Sequence, residues 1–252
     1  MLTDRQEKLL NILIDRYIKT AEPVSSKSLV NSRFFNLSSA TLRNEMNDLE
    51  SRGYLTQLHT SGGRIPTDRA YRFYVDNLIS SEDLDIYPNC QKRIDATLSG
   101  VGDDPREINK IMAQLLSDLS DNVVIAGIAE EEDFYKTGLA GLFELPEFRE
   151  ISKVFRLTSF FDEFDRVFDQ IEKEFFGATQ SADDSEDMNI FIGHENHHPA
   201  IKDETVMTAR YNLPNRLIGS LTIIGPTRMD YRKNIGLVKY TTGRINKLIK
   251  GI

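Results

Sequence analysis

Three side chains between Ser39 and Asn47 have the chemistry needed to read the edges of DNA bases. Arg43 can pair bidentately with guanine in the major groove, and Asn44 and Asn47 can each pair with adenine. At about 100° per residue, both amides share one face of a helix with Ala40, and Arg43 lies at its edge. An ordinary surface helix fills its outward face with Lys and Glu. The alternative interpretation is a capped surface helix with neutral polar residues.

The helix that positions these side chains has clear ends and a clear inner face. Ser38 or Ser39 can cap its start, because a serine hydroxyl accepts a hydrogen bond from an amide of the first turn. Gly53 stands where a left-handed residue ends a helix. Its apolar residues recur at steps of four and three, which places them on the opposite, buried face: Leu42, Met46 and Leu49.

The preceding residues predict two more helices. Thr3 and Gln6 fit a capping box, and an apolar stripe follows them, so residues 4–19 predict a first helix. Pro23 interrupts this pattern, and a short second helix is expected to begin near Ser26. A helix-turn-helix domain typically has three helices, and its third helix presents a polar face to DNA, as the helix with Asn44 and Asn47 would here.

The following residues predict a wing, meaning a β-hairpin next to the third helix. A short strand from Tyr54 to Leu58 leads to a glycine-containing turn at Ser61–Gly63, and a new helix is expected to start at Pro66 and to extend over residues 67–79. Arg64, expected near the tip, could reach a phosphate or the minor groove. A hairpin turn without a role in binding is the alternative.

The predicted DNA-binding residues lie in the second helix, the third helix and the wing. They are Ser26, Lys27, Ser38, Ser39, Ala40, Thr41, Arg43, Asn44, Asn47, Thr60, Ser61, Gly62, Gly63 and Arg64. Charge supports this placement: residues 1–79 carry a net charge of +2, whereas the whole chain carries −8 and the remainder therefore −10. A mildly positive head on an acidic body can present one face to DNA and keep the other away from it.

The rest of the chain predicts an α+β domain. We divide the chain into a winged helix-turn-helix domain (1–79), a polar linker interrupted by prolines (80–106) and a second domain (107–252). Four segments have the branched, apolar composition of strands: 122–129, 188–193, 205–211 and 216–225. Helices separate these strands, so the sheet is expected to be mixed or antiparallel.

Two helices of this domain carry apolar stripes that could pair two protomers. The stripes step by three and four residues, as in helices that associate. The candidate dimerisation residues are Phe161, Phe164, Phe168, Ile171, Ile235, Val238, Thr242 and Ile245. Alternatively, each stripe packs on the sheet of its own chain.

The sequence favours neither an enzyme nor a metal protein. His194, His197 and His198 lie close to Glu195, but Asn196 and Pro199 interrupt the segment, and a loop is expected instead of a metal site. Motifs for phosphate binding or nucleophilic catalysis are missing, and we expect no cofactor. The single cysteine forms no disulfide framework, and no apolar run approaches the roughly 18 residues of a membrane span. We therefore expect a cytoplasmic protein without membrane contact.

Several motifs resemble the HrcA heat-inducible transcription repressors. They are "SSATLRNEMNDLESRGYL" (38–55), "HTSGGRIPTDRAYRFYVD" (59–76), "GLFELPEF" (141–148) and "LIGSLTIIGPTRMDY" (217–231). The resemblance implies a GAF-like second domain and a repressor that binds an inverted repeat upstream of chaperone operons. It also implies loss of DNA binding on heat stress and the chaperonin as a partner.

This chain departs from the family in length. Typical members carry an inserted dimerising domain, whereas the segment between "NVVIAGIA" and "GLFELPEF" is only about a dozen residues here. We therefore expect a reduced GAF-like domain and a homodimer that uses other surfaces. Two further hypotheses stay open: a regulator whose GAF-like domain binds a small molecule, and a winged helix that binds protein instead of DNA.

Overall fold

The computed structural model describes residues 1–31, 35–58, 62–80, 86–129, 133–176 and 188–250. The side chains of residues 31, 165–176 and 250 are not described. The chain divides into two compact units. The first contains residues 1–83 and 227–230, and the second contains residues 84–226 and 231–252.

The first unit is a winged helix-turn-helix domain. It consists of helices α1 (Asp4–Thr20), α2 (Ser26–Asn31), α3 (Ser39–Ser51) and α4 (Asp68–Ser80) and of strands β1 (Leu55–Thr56) and β2 (Ile65–Pro66). Thr3 and Gln6 form the predicted capping box of α1. Gly53 adopts a φ of +75°, and the amides of Gly53 and Tyr54 donate to Glu50 and Leu49, which is the Schellman arrangement expected at the end of α3.

Helix α4 begins two residues later than the sequence predicted. Pro66 lies in β2, where it is opposite Leu55, because β1 and β2 pair through Leu55–Pro66 and Thr56–Ile65. The amide of Thr67 then donates to Tyr54, and the Thr67 hydroxyl accepts from the amide of Ala70. Strand pairing therefore continues through the proline, and Thr67 precedes the first turn of the helix.

The second unit has an antiparallel five-stranded sheet. Its strands are β3 (Val123–Ile128), β4 (Asp133–Thr137), β5 (Met188–Ile192), β6 (Glu204–Asn212) and β7 (Ile218–Pro226), in the order β4-β3-β7-β6-β5. Its helices are α5 (Pro88–Leu98), α6 (Pro105–Ser120), α7 (Leu139–Phe143), α8 (Ile151–Phe176) and α9 (Tyr231–Lys250). This confirms the predicted α+β class of the second domain. Strand β4, a half-buried edge strand, was not predicted.

Helices cover both faces of this sheet. Val123, Ile224 and Val206 lie side by side on neighbouring strands and pack against the phenylalanines of α8. Successive residues of a strand point to opposite faces. Thr205 therefore faces away from α8, and its hydroxyl bonds with that of Tyr231, the first residue of α9.

This packing corrects the dimerisation prediction. Phe161 and Phe164 are each 2% exposed in a single chain and belong to the core under α8. The four residues predicted on α9 are also buried within the protomer: Ile235, Val238, Thr242 and Ile245. These six described side chains pack within their own chain and have no surface left for a second protomer. Phe168 and Ile171 have side chains outside the described part of the structure.

The predicted linker, 80–106, contains a helix of the second unit. Helix α5 packs against α6 and α9. Asp95 on α5 accepts hydrogen bonds from Tyr240 (2.8 Å) and Arg244 (2.7 Å) on α9. Pro88 and Pro105 do not interrupt secondary structure here, because each occupies the first turn of a helix, where proline is tolerated.

Candidate nucleic-acid interface

The first two turns of α3 expose their outward face. Leu42, Met46 and Leu49 are 0% exposed and anchor the helix in the core, whereas Ala40 and Arg43 are exposed. Asn44 and Asn47 are exposed on the same side of the helix. Arg43 and Asn44 have no intramolecular hydrogen-bond partner within the described residues. Their donors and acceptors are therefore available to a ligand.

The acidic residues of α3 are paired along its flanks. Arg5 forms an ion pair with Glu45, and the buried Gln6 amide donates to Glu45 (3.1 Å) and Asp48 (2.6 Å). Arg52 also pairs with Asp48 at 3.2 Å. Helix α1 and the end of α3 thus hold these carboxylates away from the Arg43 face. Phosphates that approach this face meet less repulsion than the acidic content of α3 suggests.

Hydroxyl groups fix the start of α3. The Ser38 hydroxyl accepts from the amide of Thr41 (3.1 Å) and lies 2.9 Å from the Thr41 hydroxyl. The hydroxyls of Ser26 and Ser39 bond to each other at 3.0 Å, which joins the starts of α2 and α3. These four predicted contact residues therefore also position the helix, and their small side chains leave the helix end open to close approach.

Arg64, predicted near the tip of the wing, bonds to residues of α3. Its side chain is 11% exposed, and its Nε and Nη2 donate to Glu50 at 2.9 and 2.8 Å. Its Nη2 also donates to the Asn47 amide oxygen. The backbone of Arg64 pairs with Val24 through two bonds of 2.9 Å. Arg64 therefore joins the base of the wing to α3.

Gly63 is needed for close approach and not for a left-handed turn. A Cβ on Gly63 would lie 2.7 Å from backbone atoms of Pro23 and Val24, and its φ is outside the left-handed region. The Gln57 amide donates to the carbonyl of Gly62 (2.9 Å) across the wing. Thr60 and Ser61, the two other wing residues predicted to bind DNA, lie outside the described residues.

An open depression of about 500 Å³ joins α2, α3 and the wing. Eight of its ten lining residues belong to the predicted DNA-binding set: Ser26, Lys27, Ser39, Ala40, Arg43, Gly62, Gly63 and Arg64. Asn44 and Asn47 do not line it, although both are exposed on α3. The structure thus brings most of the set together around two exposed cations, Lys27 and Arg43.

Sequence reasoning missed the other two lining residues, Ser25 and Gln57. Ser25 precedes α2, and its hydroxyl accepts from the amide of Ser28 at 3.2 Å, so the preference of serine for helix starts could have found it. Gln57 gave no signal in the sequence, because its role depends on the wing carbonyl that it reaches.

The remaining sequence candidates have local roles. His198 Nδ1 accepts from the amide of Ala200, and its ring packs against Phe160 with centroids 5.0 Å apart. Glu195 accepts from the amide of Ile192 at 2.9 Å. None of the helices in the described part of the chain has the length and hydropathy of a membrane span.

Two family models together match residues 1 to 235. The model described as the winged helix-turn-helix transcription repressor, HrcA DNA-binding, matches residues 1–77, and the HrcA protein C-terminal domain matches residues 76–235. The chain belongs to the HrcA family. This confirms the resemblance read from the motifs. The HrcA family is one of transcription repressors and not of enzymes.

Two HrcA relatives are longer than this chain. The heat-inducible transcription repressor HrcA of Ruminiclostridium cellulolyticum is 27% identical over 350 aligned positions, which cover 99% of this chain and 98% of the relative. That of Brevibacillus brevis is 28% identical over 345 positions, with the same coverages. Since 99% of 252 residues is about 250, roughly 100 positions of the first relative have no counterpart here.

One solved structure shows the same fold over the whole chain. It is a crystal structure at 2.2 Å of a protein described as hypothetical. The match has a TM-score of 0.77 at 20% identity and covers 100% of this HrcA chain and 99% of the other. At this identity the likeness shows the fold alone.

Proposed function

We propose that this HrcA chain represses chaperone genes by binding, as a dimer, an inverted-repeat operator. The observation that carries the proposal is the outward face of α3. The side chains of Arg43 and Asn44 lie on this face and have no partner among the described residues. The acidic side chains of α3 are paired with other residues of the domain. A helix with this arrangement fits the major groove, where base edges differ between all four base pairs. Binding to chromosomal DNA would place the chain in the cytoplasm.

Each free side chain has a distinct role in this proposal. Asn44 has both its amide oxygen and its amide nitrogen available, which is what bidentate pairing with adenine requires. Arg43 supplies the donor fork that matches guanine. Ala40 lets the first turn approach the bases, and Lys27 at the start of α2 contacts a phosphate. Contacts to phosphate fix the register, and contacts to base edges supply the specificity.

Dimerisation follows from the size of one recognition module. Such a module buries about 600–1,000 Å² of protein surface, whereas specific sites usually need affinities near 10⁻⁸ M. Two tethered modules make the second contact intramolecular. Since the predicted stripes are buried, we expect the dimer to use other surfaces of the second unit. The exposed apolar side chains of α8, Ile151 and Phe155, are candidates, because each is 69% exposed.

The heat response follows from linkage between folding and association. Warming that dissociates the dimer would release the operator without a dedicated sensor, since association stabilises the folded chain. Operator binding and dimer fraction, measured on the same sample across temperature, should then fall together. Operator binding that persists after the dimer has dissociated would exclude this account. The chaperonin as a further partner rests on the resemblance, and its addition to the titration tests it.

The deciding experiment measures binding to an inverted repeat, to its half-site and to scrambled DNA of equal length. Arg43→Ala and Asn44→Ala should each cost about 1–3 kcal/mol of discrimination against the wrong base at one position. Arg93→Ala removes an exposed arginine of the second unit and is the matched control. Equal affinity for all three DNAs, or unchanged discrimination in both α3 variants, would contradict the proposal and favour a winged helix that binds protein.

A further inference from the structure

Arg64 is held by its own domain through both its side chain and its backbone. Glu50 on α3 accepts from Nε and Nη2, the Asn47 amide oxygen accepts from Nη2, and backbone bonds to Val24 fix the Arg64 main chain at the base of the wing. The neighbouring Gly63 leaves no room for the backbone to move toward Pro23. The side-chain bonds involve Nε and Nη2, and they fix the plane of the guanidinium beside Asn47.

This contact determines how the Asn47 amide is oriented. A guanidinium has five N–H donors and no acceptor. The atom of Asn47 that faces Arg64 must therefore be the amide oxygen, and the amide nitrogen must occupy the other end. Within the described residues that nitrogen has no hydrogen-bond partner, and the Asn47 side chain is exposed.

We propose that Arg64 is a specificity-determining residue that acts through Asn47: it engages the amide oxygen, so that Asn47 presents N–H donors to the major groove. This inference rests on the proposed function, because it concerns the base that α3 reads at one position. The donor edge of Asn47 favours guanine, whose N7 and O6 are both acceptors, or thymine, whose O4 is an acceptor. Adenine is disfavoured, because its N7 acceptor lies beside the N6 amino donor, which would face the Asn47 donors. Asn44, whose amide oxygen is free, keeps the pairing with adenine.

The test is a base-by-base binding profile of the full-length chain on a DNA duplex library with one half-site varied. Asn47→Ala should lose about tenfold discrimination at a single base pair, which identifies the position that Asn47 reads; tenfold corresponds to 1.4 kcal/mol. At that position the unmodified chain should prefer guanine or thymine. A preference for adenine there would overturn the proposal, because bidentate pairing with adenine needs the amide oxygen.

Asn47→Asp gives the sharpest result without touching Arg64. An aspartate keeps an oxygen for Arg64 and replaces the outward amide with a second oxygen, and a carboxylate accepts from the amino group of cytosine. The preferred base should therefore change to cytosine, by about tenfold or more in the ratio of affinities. Unchanged preference in this variant would overturn the proposal even if every Arg64 variant failed to fold.

Arg64→Ala separates the proposed role from a phosphate contact. Loss of the orienting contact should relax discrimination at the Asn47 position, and the effect should not add to that of Asn47→Ala. The dependence of log affinity on log salt should keep its slope, whereas the control Lys27→Ala should reduce the slope by about 0.9. A reduced slope with unchanged base preference for Arg64→Ala would overturn the proposal. A lack of any base preference in the unmodified chain would overturn both this inference and the proposed function.

Discussion

Glu204, a buried carboxylate at the start of β6, should make the stability of the second unit fall as the pH rises. Its side chain is 3% exposed, and its Oε2 has no hydrogen-bond partner among the described residues. Burial raises the pKa of Glu204 from its ordinary value of 4.5 to about 7. Lys153 lowers this pKa and Asp203 raises it, and both effects are smaller than that of burial.

The sign and the magnitude follow from this shift in the pKa. Between pH 4.5 and about 7 the unfolded chain releases the Glu204 proton while the folded chain keeps it, so the free energy of unfolding falls with rising pH. Below this window the contribution is fully present, and above it the loss is complete. A shift of about 2.5 pKa units corresponds to roughly 3 kcal/mol at 1.36 kcal/mol per unit. For a unit of this size that is about 6–12 °C in melting temperature.

The assay is thermal unfolding of the unmodified chain and of Glu204→Gln from pH 4.5 to 8.5. Glu204→Gln carries a neutral amide of nearly the same shape. Its melting temperature should therefore not fall between pH 4.5 and 7, and at pH 8 the variant should be more stable than the unmodified chain. Glu163→Gln, which removes one exposed carboxylate of α8, is the control for charge. If the melting temperatures of the unmodified chain and of Glu204→Gln differ by the same amount at every pH, the reasoning is refuted.

Two further predictions concern the wing and the core. Gly63→Ala should destabilise the first unit by roughly 1–3 kcal/mol and weaken DNA binding, because its Cβ would meet the backbone of Pro23 and Val24. Thermal unfolding measures this, with Gly243→Ala as control since its Cβ meets nothing within 4 Å; equal stability of the two variants would contradict it. Phe164→Ala should cost about 3–5 kcal/mol in denaturant unfolding, because Phe164 packs edge-to-face on Phe134 and Phe160. If Phe164→Ala instead keeps its stability and loses only self-association, Phe164 lies in a dimer interface, as the sequence predicted.

Local signals predicted the first unit well. The capping box of α1, the start of α3 at Ser38 and its end at Gly53 all depend on residues within a few positions of one another. The inner face of α3 follows from spacing alone. The strands at 122–129, 188–193, 205–211 and 216–225 were found within a few residues at each end.

Long-range packing accounts for what the sequence misjudged. An apolar stripe at steps of three and four reports that one face of a helix is covered, but not by what. Phe161 and Ile235 were therefore compatible with a partner chain or with their own sheet, and the structure places both in the protomer core. Strand β4 was not predicted because its five residues are all half-buried at the edge of the sheet.

The sequence by itself determined which side chains of α3 can pair with DNA bases. It also determined that α3 presents them on one face, because helical periodicity is a local property. Only the tertiary structure decided that the Arg64 side chain bonds to Glu50 and Asn47 on α3. Two acids of α3, Glu45 and Asp48, bond to residues of α1, which for Gln6 and Glu45 are 39 positions apart. Such contacts depend on the folding of the whole domain, since no local pattern brings these side chains together.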